Sequence, residues 1–131
     1  MKTLETLLNQ TLGNSLEVLA GPFALRRYPD WAEPVEPCVA VVGVDGGDLV
    51  VASAAVDSYL RNAATVDNQN TWDLGDVMEL FVQVPGHEDY YEFHSTPEGI
   101  RLQLHLPGFK KPRPPLAACY CDCSLVVKNA A

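Results

Sequence analysis

Ten prolines and nine glycines are scattered along 131 residues, and this punctuation leaves little room for helix. Proline removes a backbone N–H and clashes with the preceding turn, and glycine weakens a helix by about 1 kcal/mol relative to alanine. Beyond residue 21 few windows of helical length escape both residues. Residues 50–66 do escape, but they are rich in Val and Ala and carry no stripe at a 3.6-residue period. Residues 3–12 differ: Leu4, Leu7, Leu8 and Leu12 fall on one helical face, and Thr3 can accept the first free N–H groups as an N-cap. This predicts one short amphipathic helix, which must dock on something because about ten residues are marginal alone. The division expected is residues 1–15 as this helix or a linker, and residues 16–131 as a β-domain.

Between the breakers the chain reads as strands. Residues 38–44 form a β-branched run closed by Asp45-Gly46-Gly47-Asp48, a hairpin turn signal, with residues 49–56 as its partner. Residues 76–84 stop at Pro85-Gly86, residues 89–96 at Pro97-Glu98-Gly99, and residues 100–106 at Pro107-Gly108. In the last of these Ile100, Leu102, Leu104 and Leu106 alternate with Arg101, Gln103 and His105, so one face is buried and one is wet. A basic, Pro-rich break from Phe109 to Pro115 precedes a last apolar run over residues 116–127. Short strands separated by turns describe an all-β antiparallel sandwich or barrel.

Charge narrows the partners. Nine Lys and Arg stand against 17 Asp and Glu, for a net charge of −8. With a sequence pI near 4.6, the average field repels phosphate backbones and anionic lipid, so no nucleic-acid partner and no membrane surface are expected. No run of about 18 apolar residues is present for a membrane span. The N-terminus lacks the apolar stretch and cleavage site of a signal peptide, which makes the cytoplasm the default compartment.

The informative stretch is residues 72–99, WDLGDVMELFVQVPGHEDYYEFHSTPEG. It resembles the family 9 carbohydrate-binding module and its DOMON-like relatives. The resemblance rests on Trp72, Asp76, Glu79, Leu80, Phe81, Tyr90, Tyr91, Glu92, Phe93, Pro97 and Gly99. It implies a β-sandwich of immunoglobulin or jelly-roll type that binds a carbohydrate and catalyses nothing. No second aromatic strand of that family follows Leu116, which implies a chain truncated or altered at its C-terminal end. Family members are mostly secreted or periplasmic, in tension with the missing leader.

Strand periodicity places Glu79 with Val77 and Phe81 on one face, and Met78, Leu80, Val82 and Val84 on the other, which should point into the core. Tyr90, Glu92, His94 and Thr96 then make a polar ladder beside Glu79. The expected site is Trp72 stacking on the apolar face of a sugar ring, with Glu79, His94 and Thr96 taking its hydroxyls. The same residues have structural uses: Trp72 in packing, Glu79 in tying a loop, His94 as a satisfied interior histidine, which is the commoner fate of such a residue. A ligand-free structural or protein-interaction domain of the same fold is therefore the alternative. A haem-binding relative would need an axial pair such as Met78 and His94, which should face opposite sides of the sheet.

Other chemistry finds no pattern. The three histidines show no H-E-x-x-H spacing, no serine sits in G-x-S-x-G, and no G-x-G-x-x-G or Walker segment exists. The Glu79 and Glu92 pair suits the flank of a wet face better than a hydrolytic cleft. Asp73, Asp76, Glu88 and Asp89 at strand ends could hold a structural calcium, but no D-x-D-x-D spacing supports one, and no cofactor is expected. Cys119, Cys121 and Cys123 on one strand face would lie about 7 Å apart, too far for easy disulfides. They read as small apolar fillers, reduced in a chain without an export signal.

Overall fold

The computed structural model describes residues 3–121. It is all-β apart from one short helix and one 3-10 turn, with two three-stranded antiparallel sheets. These are the elements of the expected all-β chain, with the N-terminal helix expected from the leucine spacing. The chain divides into two compact units, Met1–Tyr59 and Leu60–Ala131. Among the described residues no helix is long and apolar enough to cross a membrane.

In the first unit, helix α1 (Leu4–Thr11) begins at Thr3, whose hydroxyl accepts the Thr6 N–H at 3.2 Å. It stops at Leu12, which turns extended while its N–H still reaches the Leu8 carbonyl at 3.2 Å. Leu8 is only 2% exposed and sits with Val39 and Val41, flanked by Leu4, Leu12, Ala52 and Ala54. The helix therefore gains from the sheet the burial that its length denies it in isolation. Strands β2 (Cys38–Asp45) and β3 (Asp48–Ala55) pair in unbroken register from Cys38 opposite Ala55 to Asp45 opposite Asp48. Gly46 and Gly47, at φ 56° and 92°, supply the two left-handed residues that a tight hairpin of this hand demands.

Strand β1 (Glu17–Ala24) pairs with the other edge of β2 and is absent from the expectation. Its Gly21-Pro22 pair reads as a break. The strand absorbs both residues by shifting register twice, between Val18 and Ala20 and between Ala20 and Phe23. An edge strand has one side without partners, so a missing N–H is tolerated there. Gly21 also has no room for a side chain, since a Cβ would stand 2.8 Å from the Ala40 carbonyl oxygen.

In the second unit, β4 (Met78–Val82), β5 (Tyr90–Ser95) and β6 (Arg101–Leu106) form an antiparallel sheet in sequence order. The expected runs are present, β4 and β5 trimmed at both ends and β6 at its first residue. Leu102, Leu104 and Leu106 are buried with Cys119, and Trp72, Tyr90 and Leu116 pack against them. The alternation read in β6 is thus the one observed. For β4 the strand phase is right, and Met78, Leu80 and Val82 are the more covered set, half-buried where Glu79 and Phe81 are exposed. The register sets Glu79 opposite His94 and His94 opposite Leu102. Glu79 therefore shares the face of the buried leucines, whereas Met78, Leu80 and Val82 remain half-buried beside Ser95, Phe93 and Tyr91. The leucines of β6 are covered on this face, but at the β4 edge of the sheet the same face leaves Glu79 and Phe81 exposed.

After β6 the chain makes a 3-10 turn at Leu116–Ala118 and returns along the outer edge of β6. Tyr120 bridges Leu104, the His105 N–H donates to the Cys119 carbonyl at 2.7 Å, and the Cys121 N–H donates to that of Gln103 at 3.3 Å. The run expected over 116–127 is thus not one extended strand, because Pro115 opens a turn. Its remainder, including Cys123, lies outside the described residues. Truncating Leu8 to Ala should cost about 2–4 kcal/mol, because the helix loses a fully buried anchor; urea denaturation of the whole chain measures it.

Candidate functional site

The loop that carries Trp72 is held by Asn62. Its Nδ2 donates to the carbonyls of Thr71 at 2.9 Å and Asp76 at 3.1 Å, and its Oδ1 accepts the Ala64 N–H at 2.9 Å. The Asn62 N–H donates to Glu98 at 3.1 Å, and Asp76 accepts the Arg61 N–H at 2.8 Å. Here the two arms of the loop touch, and a Cβ on Gly75 would stand 2.2 Å from the Arg61 carbonyl oxygen. Only glycine permits that approach at a φ of 137°.

With the loop so fixed, Thr71 and Trp72 lie over β5. His94 is 1% exposed and is surrounded. Its Nδ1 is 3.0 Å from the Thr71 hydroxyl and 3.7 Å from Glu79, its Nε2 is 3.2 Å from Glu92, and its ring meets Trp72 edge-on at 5.8 Å. One tautomer satisfies both nitrogens: Nε2–H donates to the Glu92 carboxylate, and Nδ1 accepts the Thr71 hydroxyl proton. Trp72, Glu79 and His94 are therefore brought together as the spacing suggested. Thr96 is placed elsewhere. It is 2% exposed, and its hydroxyl accepts the Ile100 N–H at 3.0 Å, closing the turn between β5 and β6. Met78 faces Ser95 rather than His94, so the axial pair of a haem site is not assembled.

Sequence reasoning missed Asn62, Thr71 and Arg113. Nothing in Arg61-Asn62-Ala63-Ala64 marks Asn62. Arg113 had one signal, a basic patch just after an acidic stretch. Its guanidinium lies 5.0 Å from the centre of the Trp72 ring, covering the aromatic surface expected to stack on a sugar. Beside it opens a cleft of about 260 Å³ lined by Tyr90, Glu92, Leu106, Phe109, Lys111 and Arg113. Phe81 stacks on Tyr90 at 6.3 Å, and Phe109 is almost fully exposed at the mouth. Burial pushes the Tyr90 phenol up, and the neighbouring Glu92 carboxylate adds to the shift.

The carboxylates considered for calcium serve other partners. Asp73 accepts from Asn70 at 2.8 Å, Glu88 pairs with Lys111 at 2.6 Å, and Asp89 binds His105 at 2.7 Å with His87 at 3.3 Å. Among the described residues no three His, Cys, Asp or Glu side chains converge on a metal position. Cys38, Cys119 and Cys121 are free thiols. Cys119 fills the core, with its sulfur 3.6 Å from the Pro115 carbonyl, and burial pushes the Cys38 thiol up. Compared with known proteins, the chain matches no family model, no curated protein and no solved structure.

Replacing Asn62 by Ala would orphan two carbonyls and one N–H and should cost about 2–4 kcal/mol, read by thermal and urea unfolding. Acid should act on Asp67, which the Arg101 guanidinium and N–H hold below the ordinary carboxylate range. Its contribution is complete above the unfolded value of about 4 and is lost as pH falls through the lowered folded value. Asp67→Asn should therefore flatten the acid limb of a stability–pH profile and leave its slope near neutrality unchanged.

Proposed function

We propose that this chain is a non-catalytic carbohydrate-binding domain whose ligand seat is the cleft beside Tyr90, Glu92 and Phe109. One observation carries the reading: aromatic faces and a carboxylate with a fixed orientation share one open cleft of about 260 Å³. A pyranose offers an apolar C–H face to such rings and a rim of hydroxyls to such an acceptor. Glu92 is oriented by His94, and His94 by Thr71, so the acceptor needs little reorganisation on binding. Trp72, Glu79 and His94 act behind this surface, with Trp72 seating Arg113 and His94 steering Glu92. Thr96 shapes the turn and touches no ligand. The resemblance of residues 72–99 to family 9 carbohydrate-binding modules points to the same ligand class.

A structural or protein-interaction role is the second reading, favoured by the enclosure of His94 and the covering of Trp72. Glycan-array screening followed by calorimetric titration separates the two. Binding of an oligosaccharide that Phe109→Ala weakens about tenfold or more, with the unfolding temperature unchanged, supports the cleft. Flat isotherms across the array favour the second reading.

A further inference from the structure

We infer that the glycan this cleft selects is acidic, and that the Arg113 guanidinium receives its uronate carboxylate. The inference rests on the sugar-binding reading and specifies its ligand.

The cleft holds one strong donor without an acidic partner. Among the described residues, ion pairs engage Arg26, Arg27, Arg101 and Lys111, but no carboxylate lies within salt-bridge reach of Arg113. What positions Arg113 is the Trp72 ring beneath it. An aromatic seat grips the flat face of a guanidinium and leaves the N–H groups at its rim directed outward in a fixed fork. That fork matches the two oxygens of a carboxylate, and the Pro112, Pro114 and Pro115 neighbours restrict the backbone that carries it.

The charge of the wall allows an anion despite the acidic chain. Glu92 is the carboxylate in the lining, and it faces the Nε2 of His94 at 3.2 Å. Lys111, in the same wall, is balanced by Glu88. Arg113 is left as the cation of this lining that no carboxylate contacts directly. The excess negative charge elsewhere is screened beyond about 8 Å at physiological ionic strength. A neutral sugar would leave the guanidinium donors to water, whereas a uronate would pair with them while its ring rests on Tyr90 or Phe109.

Calorimetry with the whole chain tests this, using tetragalacturonate and its fully methyl-esterified form as probes, which share the sugar chain and differ in whether each carboxyl is a free carboxylate or a neutral methyl ester. The acid should bind at least about tenfold more tightly than the ester, equivalent to about 1.4 kcal/mol. Raising salt should weaken the acid alone. Arg113→Gln should bring the two within about twofold, and Arg113→Lys should retain part of the preference, because a point charge cannot form the fork. Circular dichroism checks that both variants fold. Equal binding of acid and ester, or a preference that survives Arg113→Gln, overturns the inference and leaves the sugar reading standing. Displacement of the acid by acetate as effectively as by free galacturonate also overturns it, by reducing the site to a bare anion seat. Binding of neither probe, nor of any neutral oligosaccharide, overturns the sugar reading and this inference with it.

Discussion

An imidazole removed from water must find a partner for each nitrogen, and in the second sheet that requirement organises everything around it. A buried polar group left alone costs on the order of 1–3 kcal/mol. His94 avoids this because Glu92 lies two residues back on its own strand and Thr71 is pressed down from the loop. The register of β4 against β5 brings Glu79 to 3.7 Å from the same ring, so strand pairing, loop position and the orientation of Glu92 meet at one residue. A slip of one residue between β4 and β5 would turn His94 to the opposite face and undo all of them.

The loop side of this arrangement depends on Asn62, and the ligand side on Arg113. Residues 72–99 hold Asp73, Asp76, Glu79, Glu88, Asp89, Glu92 and Glu98 without a single Lys or Arg. Folding returns the basic segment after β6 to that acidic stretch, where Lys111 meets Glu88 and Arg113 caps Trp72. Charge that looks segregated along the chain is interleaved in space. A cleft between the two segments can therefore present a carboxylate and a guanidinium a short distance apart, a combination suited to a ligand with both hydroxyls and an acid group.

Much of the architecture was legible in the sequence, because it rests on local rules. The Asp45-Gly46-Gly47-Asp48 turn, the helix behind Thr3 and the alternation in β6 are each dictated by neighbouring residues. Strand β1 was hidden, because an edge can absorb a Gly-Pro pair that a central strand could not. That Glu79 shares a sheet face with the β6 leucines was also hidden, since alternation within β4 says nothing about its register with other strands. The grouping of Trp72, Glu79 and His94 was visible from phase and spacing. The closure of that group was not, because Asn62, Thr71 and Arg113 reach it from loops whose paths no periodicity encodes.

Strand β1 carries a further consequence. All eight of its residues are exposed, and Val18, Leu19 and Phe23 are among them. A regular strand of that length and character would offer its free edge to any unfolded chain as a template for pairing. Two register shifts and a proline without an N–H divide this strand into pieces of one or two paired residues. A foreign strand could begin to pair there but could not extend. The same Gly21-Pro22 pair that conceals β1 from a reader of the sequence also makes it a poor template for fibrils.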